Sequence, residues 1–146
     1  MDIERIHKAL TGGETTRVEF KSCRDKVSNS VYDTVCSFSN HSGGLIILGF
    51  DDDMNLIGVN KNASVNLKKN IINTLGNKEV FFPKLTIEPE IEEYDGKTII
   101  VIDVPVSQYP VRYKNKYFDR VGDADMDITD NMELVLGLFE RKNPHL

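Results

Sequence analysis

The sequence predicts an α+β fold: a single domain with a mixed β-sheet packed against about four helices. Three features carry that expectation. The run Leu45-Ile46-Ile47-Leu48 is continuously apolar, too short for a helix and entered through Gly43-Gly44, the pattern of a strand buried on both faces. Residues 98–104 form a second run, rich in Thr, Ile and Val, that is strand-like by composition. The patterns follow the order helix, strand, helix, strand, strand, helix, strands, helix. They are not repeated strand–helix units, which argues against a doubly wound nucleotide fold.

From the N-terminus, Ile3, Ile6 and Leu10 predict a short first helix closed at Gly12-Gly13. Residues 17–21 alternate polar and apolar, the period of a half-buried strand, and 25–29 read as a turn. Val31, Val35 and Phe38 follow helical spacing up to Asn40 and are expected to pack on the 45–48 strand. After a turn over 51–55 the chain is expected to return as a strand over 56–59. Leu67, Ile71 and Leu75 define one face of a helix over 65–75. Pro83 precedes an expected strand over 85–91, on which alternating glutamates, Glu88 to Glu93, form a wet face. Tyr94-Asp95-Gly96-Lys97 is a hairpin turn into the 98–104 strand, which Pro105 ends. A turn over 113–116 leads into a strand over 116–121. Residues 130–141 then form an amphipathic helix through Met132, Val135, Leu136 and Phe139, capped by Asp130 or Thr129.

The length, 146 residues, suits one domain spanning 1–146, and no linker, repeat or low-complexity tract divides it. No apolar run approaches the ~20 residues a membrane helix needs. The start, Met1-Asp2-Ile3-Glu4, has no apolar signal region, so the expectation is a cytoplasmic protein with no membrane contact. Cys23 and Cys36 lack the companions of a zinc site or disulfide framework and read as free thiols. The formal net charge is −5. An acidic chain binds polyanions poorly in bulk, so any nucleic-acid contact must come from a local basic patch.

Several motifs bear on chemistry. Gly43-Gly44 runs from helix to strand, the reverse of a phosphate loop, and neither GxxxxGK[ST] nor GxGxxG occurs. A helix end with close backbone approach accounts for the pair. Asp123, Asp125 and Asp127 begin like a calcium loop, but Ile128 replaces the required Gly and Leu134 the required Glu, leaving an acidic turn before the last helix. His7, His41 and His145 are scattered and define no triad. From Arg112 to Arg120, four cations (Arg112, Lys114, Lys116, Arg120) alternate with three aromatics, Tyr117 among them. Aromatic faces stack bases while cations neutralise phosphates. A surface hairpin with ordinary strand alternation has the same composition, and both readings stand here.

Three segments together resemble the Schlafen AlbA-type domain, also called a divergent AAA domain. They are Glu14-Thr15-Thr16-Arg17-Val18-Glu19-Phe20-Lys21, then Ser37-Phe38-Ser39-Asn40-His41-Ser42-Gly43-Gly44 with the apolar run and Gly49-Phe50-Asp51-Asp52, and finally Tyr117-Phe118-Asp119-Arg120-Val121-Gly122. The family pattern is E-x4-EFK, AFANxxGG before an apolar strand and G-hydrophobic-DD, then Y-x-x-R-x-G. The resemblance runs from about Glu4 to Arg141. Ser37 and Ser39 replace the usual alanines, and Asp123 stands where a serine often follows.

The resemblance implies a nucleic-acid-binding domain, for DNA or RNA, often the N-terminal part of a longer transcriptional-regulator-like protein, with Lys21 joining the 112–120 cations in contacting the ligand. It implies an alternative too. Paired Schlafen copies form a metal-dependent endoribonuclease acting on tRNA and rRNA, whose carboxylates map onto Glu14, Glu19 and Asp51. Those three would be both catalytic and metal-binding, holding Mg²⁺ or Mn²⁺, hard ions that prefer oxygen ligands. Pairing also implies a homodimer. A nucleotide (ATP)-binding role, suggested by the AAA label, is weakened by the missing Walker motif. On the residues alone, Glu19 equally suits an ion pair with Arg17 or Lys21, and Asp51 a turn.

Overall fold

The apolar run 45–48 lies in the interior as strand β2 (Gly44–Leu48), every residue of which is buried in the computed structural model. The structure describes residues 3–144; Met1, Asp2, His145 and Leu146 lie outside them. In chain order the elements are α1 (Ile3–Gly12), β1 (Val18–Lys21), α2 (Asn29–Asn40), β2, α3 (Ser64–Leu75), β3 (Phe81–Phe82), β4 (Glu90–Tyr94), β5 (Lys97–Val104), β6 (Arg112–Tyr113), β7 (Lys116–Val121), β8 (Ala124–Asp127) and α4 (Met132–Lys142). One 3-10 turn, Lys61–Ala63, leads into α3. The fold is α+β with two sheets rather than the one expected.

The first sheet has the order β1-β2-β5-β4. β1 and β2 are parallel and α2 provides their crossover, while β5 is antiparallel to both β2 and β4, so the sheet is mixed. Strand alternation divides its core in two. Ile46, Leu48, Ile100 and Ile102 join Val31, Val35 and Phe38 of α2 and Leu67, Ile71 and Leu75 of α3 on one face. Leu45, Ile47, Ile99 and Val101 meet Ile6 of α1, Phe20 and Phe50 on the other. The expected packing of α2 on β2 is therefore present.

The second sheet, order β3-β6-β7-β8, is antiparallel throughout and closes over α2. Tyr32, Phe81 and Tyr113 form an aromatic group there, with ring centroids 4.9–6.0 Å apart. Asn40, wholly buried at the end of α2, joins the helix to this layer. Its Nδ2 donates to the carbonyls of Val111 and Phe118, both at 2.8 Å, and its Oδ1 accepts from the Val111 amide at 2.7 Å. Cys23 and Cys36 are buried free thiols, and burial pushes them up to about 11 and about 12 respectively.

Several expectations are corrected. Residues 56–59 form no strand: Phe50 bridges Leu56, but the Ile57 and Gly58 amides both donate to the Gly49 carbonyl, which folds the segment back on itself. Residues 85–89 are loop, and the strand begins at Glu90. Its glutamates are not uniformly wet, since Glu90 and Glu92 are half-buried. The acidic stretch 123–127 is not a turn but contains β8, paired with β7 in register Arg120↔Asp125. The cap of α4 is Asn131, whose side chain accepts from the Leu134 amide at 3.1 Å; Thr129 instead accepts from the Tyr117 amide. α4 buries only Leu138, leaving Met132, Leu136 and Phe139 exposed. Among the described residues no helix is long and apolar enough to cross a membrane.

Candidate nucleic-acid interface

The parallel pairing of β1 with β2 brings the segment of Glu19 beside the strand that leads to Asp51. The carboxylates nevertheless take separate partners. Glu19 points into the protein, only 7% exposed, and its Oε2 accepts from Arg120 Nη2 at 2.9 Å while Lys21 Nζ lies 3.3 Å from Oε1. Arg120, 2% exposed, distributes its guanidinium over four acceptors. Nη2 also donates to the Thr15 carbonyl at 2.8 Å, Nε to the Thr16 carbonyl at 3.2 Å, and Nη1 to Asp125 Oδ1 at 2.8 Å. Its plane lies 4.8 Å from the Phe38 ring centre, a cation–π contact. Asp125 also accepts from the Thr34 and Ser37 hydroxyls of α2. One buried cluster thus joins β1, α2, β7 and β8, and Ser37 has a use that alanine could not serve.

This arrangement answers whether the expected Mg²⁺ or Mn²⁺ site fits. Glu19 is committed to Arg120. Asp51 is committed to its own turn: Oδ1 accepts from the Asp53 and Asn55 amides at 3.0 and 2.8 Å, and Oδ2 from Asn55 Nδ2 at 3.2 Å. The Asn55 amide bond is the main reason its pKa is lowered. Glu14 is exposed, and its pKa is raised, first by desolvation and then by the charge of Glu19. Among the described residues no group of three or more His, Cys, Asp or Glu side chains is arranged to hold a metal ion. The structure does not gather Glu14, Glu19 and Asp51 into a cation site, so these donors do not fit the metal that the resemblance implies.

The basic–aromatic segment forms a hairpin. β6 and β7 pair as Arg112↔Tyr117 and Tyr113↔Lys116 across a two-residue turn, Lys114-Asn115, both at positive φ (48° and 66°). Arg112 lies 5.1 Å from the ring centre of Phe82, an aromatic 54% exposed to solvent. Lys114 Nζ is 5.4 Å from the Tyr113 ring centre and 3.4 Å from Asn29 Oδ1. Lys116 is exposed, with Asp127 at 4.0 Å. Tyr117 is half-buried and meets Phe139 edge-on at 5.8 Å. Arg120 belongs to the buried cluster and not to this surface, because β7 turns it inward with Phe118.

A hollow of about 300 Å³ at the base of the hairpin is lined by Asn29, Asp33, Tyr113, Lys114, Lys116 and Phe118. The pKa of Asp33 is raised, first by desolvation and then by Asp125, while Lys21, Lys116 and Lys114 oppose the shift. Lys21 acts on the same carboxylate as the two hairpin lysines, while its own ammonium lies beside Glu19. Phe82 and Asp33 are absent from the sequence-derived set. An exposed aromatic at the start of a run of turn and loop carries no periodic signal, and Asp33 lies on a helix otherwise read for its apolar face.

The fold is thus that of an α+β domain carrying a basic, aromatic-bearing hairpin over a two-layer core. The family model of Schlafen, AlbA_2 matches residues 14–129, and the chain belongs to that family. Among solved structures, it is similar to the DIP2311 protein from Corynebacterium diphtheriae, with TM-score 0.62 and 17% identity over 86% of this chain and 29% of that one. It is also similar to the N-terminal domain of a RecG-related protein from Nitrosomonas europaea, with TM-score 0.61 and 23% identity over 84% of this chain and 90% of that one. At these identities the likeness is one of fold. The chain spans under a third of the Corynebacterium protein's length. No protein of curated function matches it.

Proposed function

We propose that this domain binds nucleic acid through the β6–β7 hairpin. The observation that carries the reading is the exposed Phe82 ring of β3 with the Arg112 guanidinium 5.1 Å from its centre, Arg112 lying on the same hairpin as Lys114 and Lys116. A base laid on Phe82 gains stacking energy of roughly 1–3 kcal/mol, and the adjacent cations meet the phosphates that flank it. Such a site takes an unpaired strand or loop, since a base within a duplex has no free face to offer. The domain then acts as the ligand-contacting part of a transcriptional-regulator-like protein, and a homodimer would double the cations presented. Two buried reduced thiols suit a cytoplasmic setting.

The test is fluorescence anisotropy with short labelled single-stranded RNA and DNA across a salt series. The Arg112→Gln/Lys114→Gln/Lys116→Gln variant should bind more weakly at low salt. Its log K against log salt should be shallower by about 0.7 for each phosphate that is no longer neutralised. Phe82→Ala should weaken binding about tenfold or more without changing that slope, because stacking releases no counterions. Unchanged affinity in both variants refutes the hairpin as the binding surface.

A further inference from the structure

At the opposite end of β1 from Lys21, the structure contains a second cationic feature. A cleft of about 690 Å³ opens between α1, the start of β1 and the turn after α2, and its charged lining is Arg5, Lys8, Arg17 and Asp103. Three cations against one carboxylate give a local charge of about +2 in a chain whose net charge is −5. Arg5 is engaged with Asp103 at 2.6 Å. Lys8 and Arg17 are exposed, and among the described residues neither is paired with a carboxylate.

The other basic groups near this end of the sheet are already committed. Arg141 pairs with Asp119 at 2.9 Å, and Lys142 Nζ donates to the Ser39 and Ser107 carbonyls at 3.1 and 2.8 Å. Arg17 also sits on a fixed backbone: its amide donates to Thr15 Oγ1 at 3.1 Å and its carbonyl accepts from the Leu45 amide at 2.9 Å. The walls differ in a useful way. A Cβ on Gly43 would come within 2.7 Å of the Val104 carbonyl, so that wall is tightly packed; one on Gly12 or Gly13 would meet nothing within 4 Å, so that side stays open.

We propose that this cleft is a phosphate-binding site in which Lys8 and Arg17 hold successive phosphodiester groups of a single strand that also reaches the hairpin. The proposal rests on the nucleic-acid-binding reading. Arg17 immediately precedes the edge strand β1, which ends four residues on at Lys21, a span of at most about 13 Å at 3.3 Å per residue. One strand running along β1 can therefore meet both patches. An open cleft with unpaired cations matches a passing phosphate chain, and it matches the phosphates of a free nucleotide by the same chemistry.

The experiment compares wild type, Lys8→Gln/Arg17→Gln and the triple hairpin variant. Each is titrated with labelled single-stranded RNA, with ATP and with inorganic phosphate, and thermal melts check the fold. The expected result is about tenfold weaker RNA binding by Lys8→Gln/Arg17→Gln, with a salt slope lower by about 1.4, twice the 0.7 of one phosphate. Loss of ATP binding in that variant, with no RNA binding by wild type, overturns the strand as the occupant of the cleft and assigns it to a free nucleotide's phosphates, while the hairpin reading stands or falls on its own single-stranded DNA titration. RNA binding that falls only in the hairpin variant overturns the cleft and leaves that reading intact. Wild type that binds none of the three ligands overturns both.

Discussion

Replacing Arg120 with methionine removes the one cation that faces both Glu19 and Asp125 while keeping most of the side chain's length. Both carboxylates remain, Glu19 7% exposed and Asp125 still accepting from two hydroxyls of α2. The carbonyls of Thr15 and Thr16 lose their guanidinium donors as well. Breaking a buried pair from one side typically destabilises by about 3–5 kcal/mol, because a charge is left without its counter-charge. For a chain of this length that corresponds to a fall in Tm of roughly 10–15 °C. Urea unfolding followed by circular dichroism measures it, with an unchanged m-value showing that the same surface is exposed. Arg120→Lys should recover only part of the loss, since one ammonium cannot reach four acceptors arranged around a planar fork. In a double-mutant cycle with Glu19→Gln the two losses should overlap by about 1 kcal/mol or more. A loss below about 1 kcal/mol, the range of exposed pairs, or strict additivity in the cycle, would refute the structural role assigned to this cluster.

Two further outcomes follow from the same geometry. Asn40→Ala leaves the Val111 amide and the carbonyls of Val111 and Phe118 without their side-chain partner in the interior, and should destabilise by roughly 3 kcal/mol or more in the same urea assay; a loss within about 0.5 kcal/mol, the range of ordinary surface changes, would show that these bonds are dispensable. Asp33 has a folded-state pKa above its unfolded value, so its ionised form weakens the fold above that range, and the penalty disappears as pH falls through the folded pKa. Asp33→Asn should therefore raise Tm at pH 7, with the gain vanishing below about pH 3, and should tighten oligonucleotide binding by removing a carboxylate whose charge acts on Lys21, Lys114 and Lys116. A gain that is the same at both pH values would show that charge is not its cause.

Elements whose evidence is local were legible in the order of amino acids alone. Helix and strand periods placed α2 and β2, and the apolar run 45–48 could only be satisfied by burial on both faces. The Asp95-Gly96 turn marked the β4–β5 hairpin, and the spacing of three motifs marked the family. Which polar side chains meet was not legible. Alternation along 17–21 put Glu19 on the same face as Arg17 and Lys21 but said nothing of Arg120, which is 101 residues away in sequence and 2.9 Å away in space. The same motif positions that implied a cation site are therefore read differently once the guanidinium is seen between two of the chain's own carboxylates. The acidic stretch 123–127 followed the same course, since its charges looked solvated until β8 paired with β7 and turned Asp125 toward α2. α4 shows the converse: its apolar spacing was legible, yet only Leu138 found a place in the core. Periodicity reports which side chains could share a face. Only the tertiary contacts decide whether another layer covers that face, because burial and charge pairing depend on residues far apart in the chain.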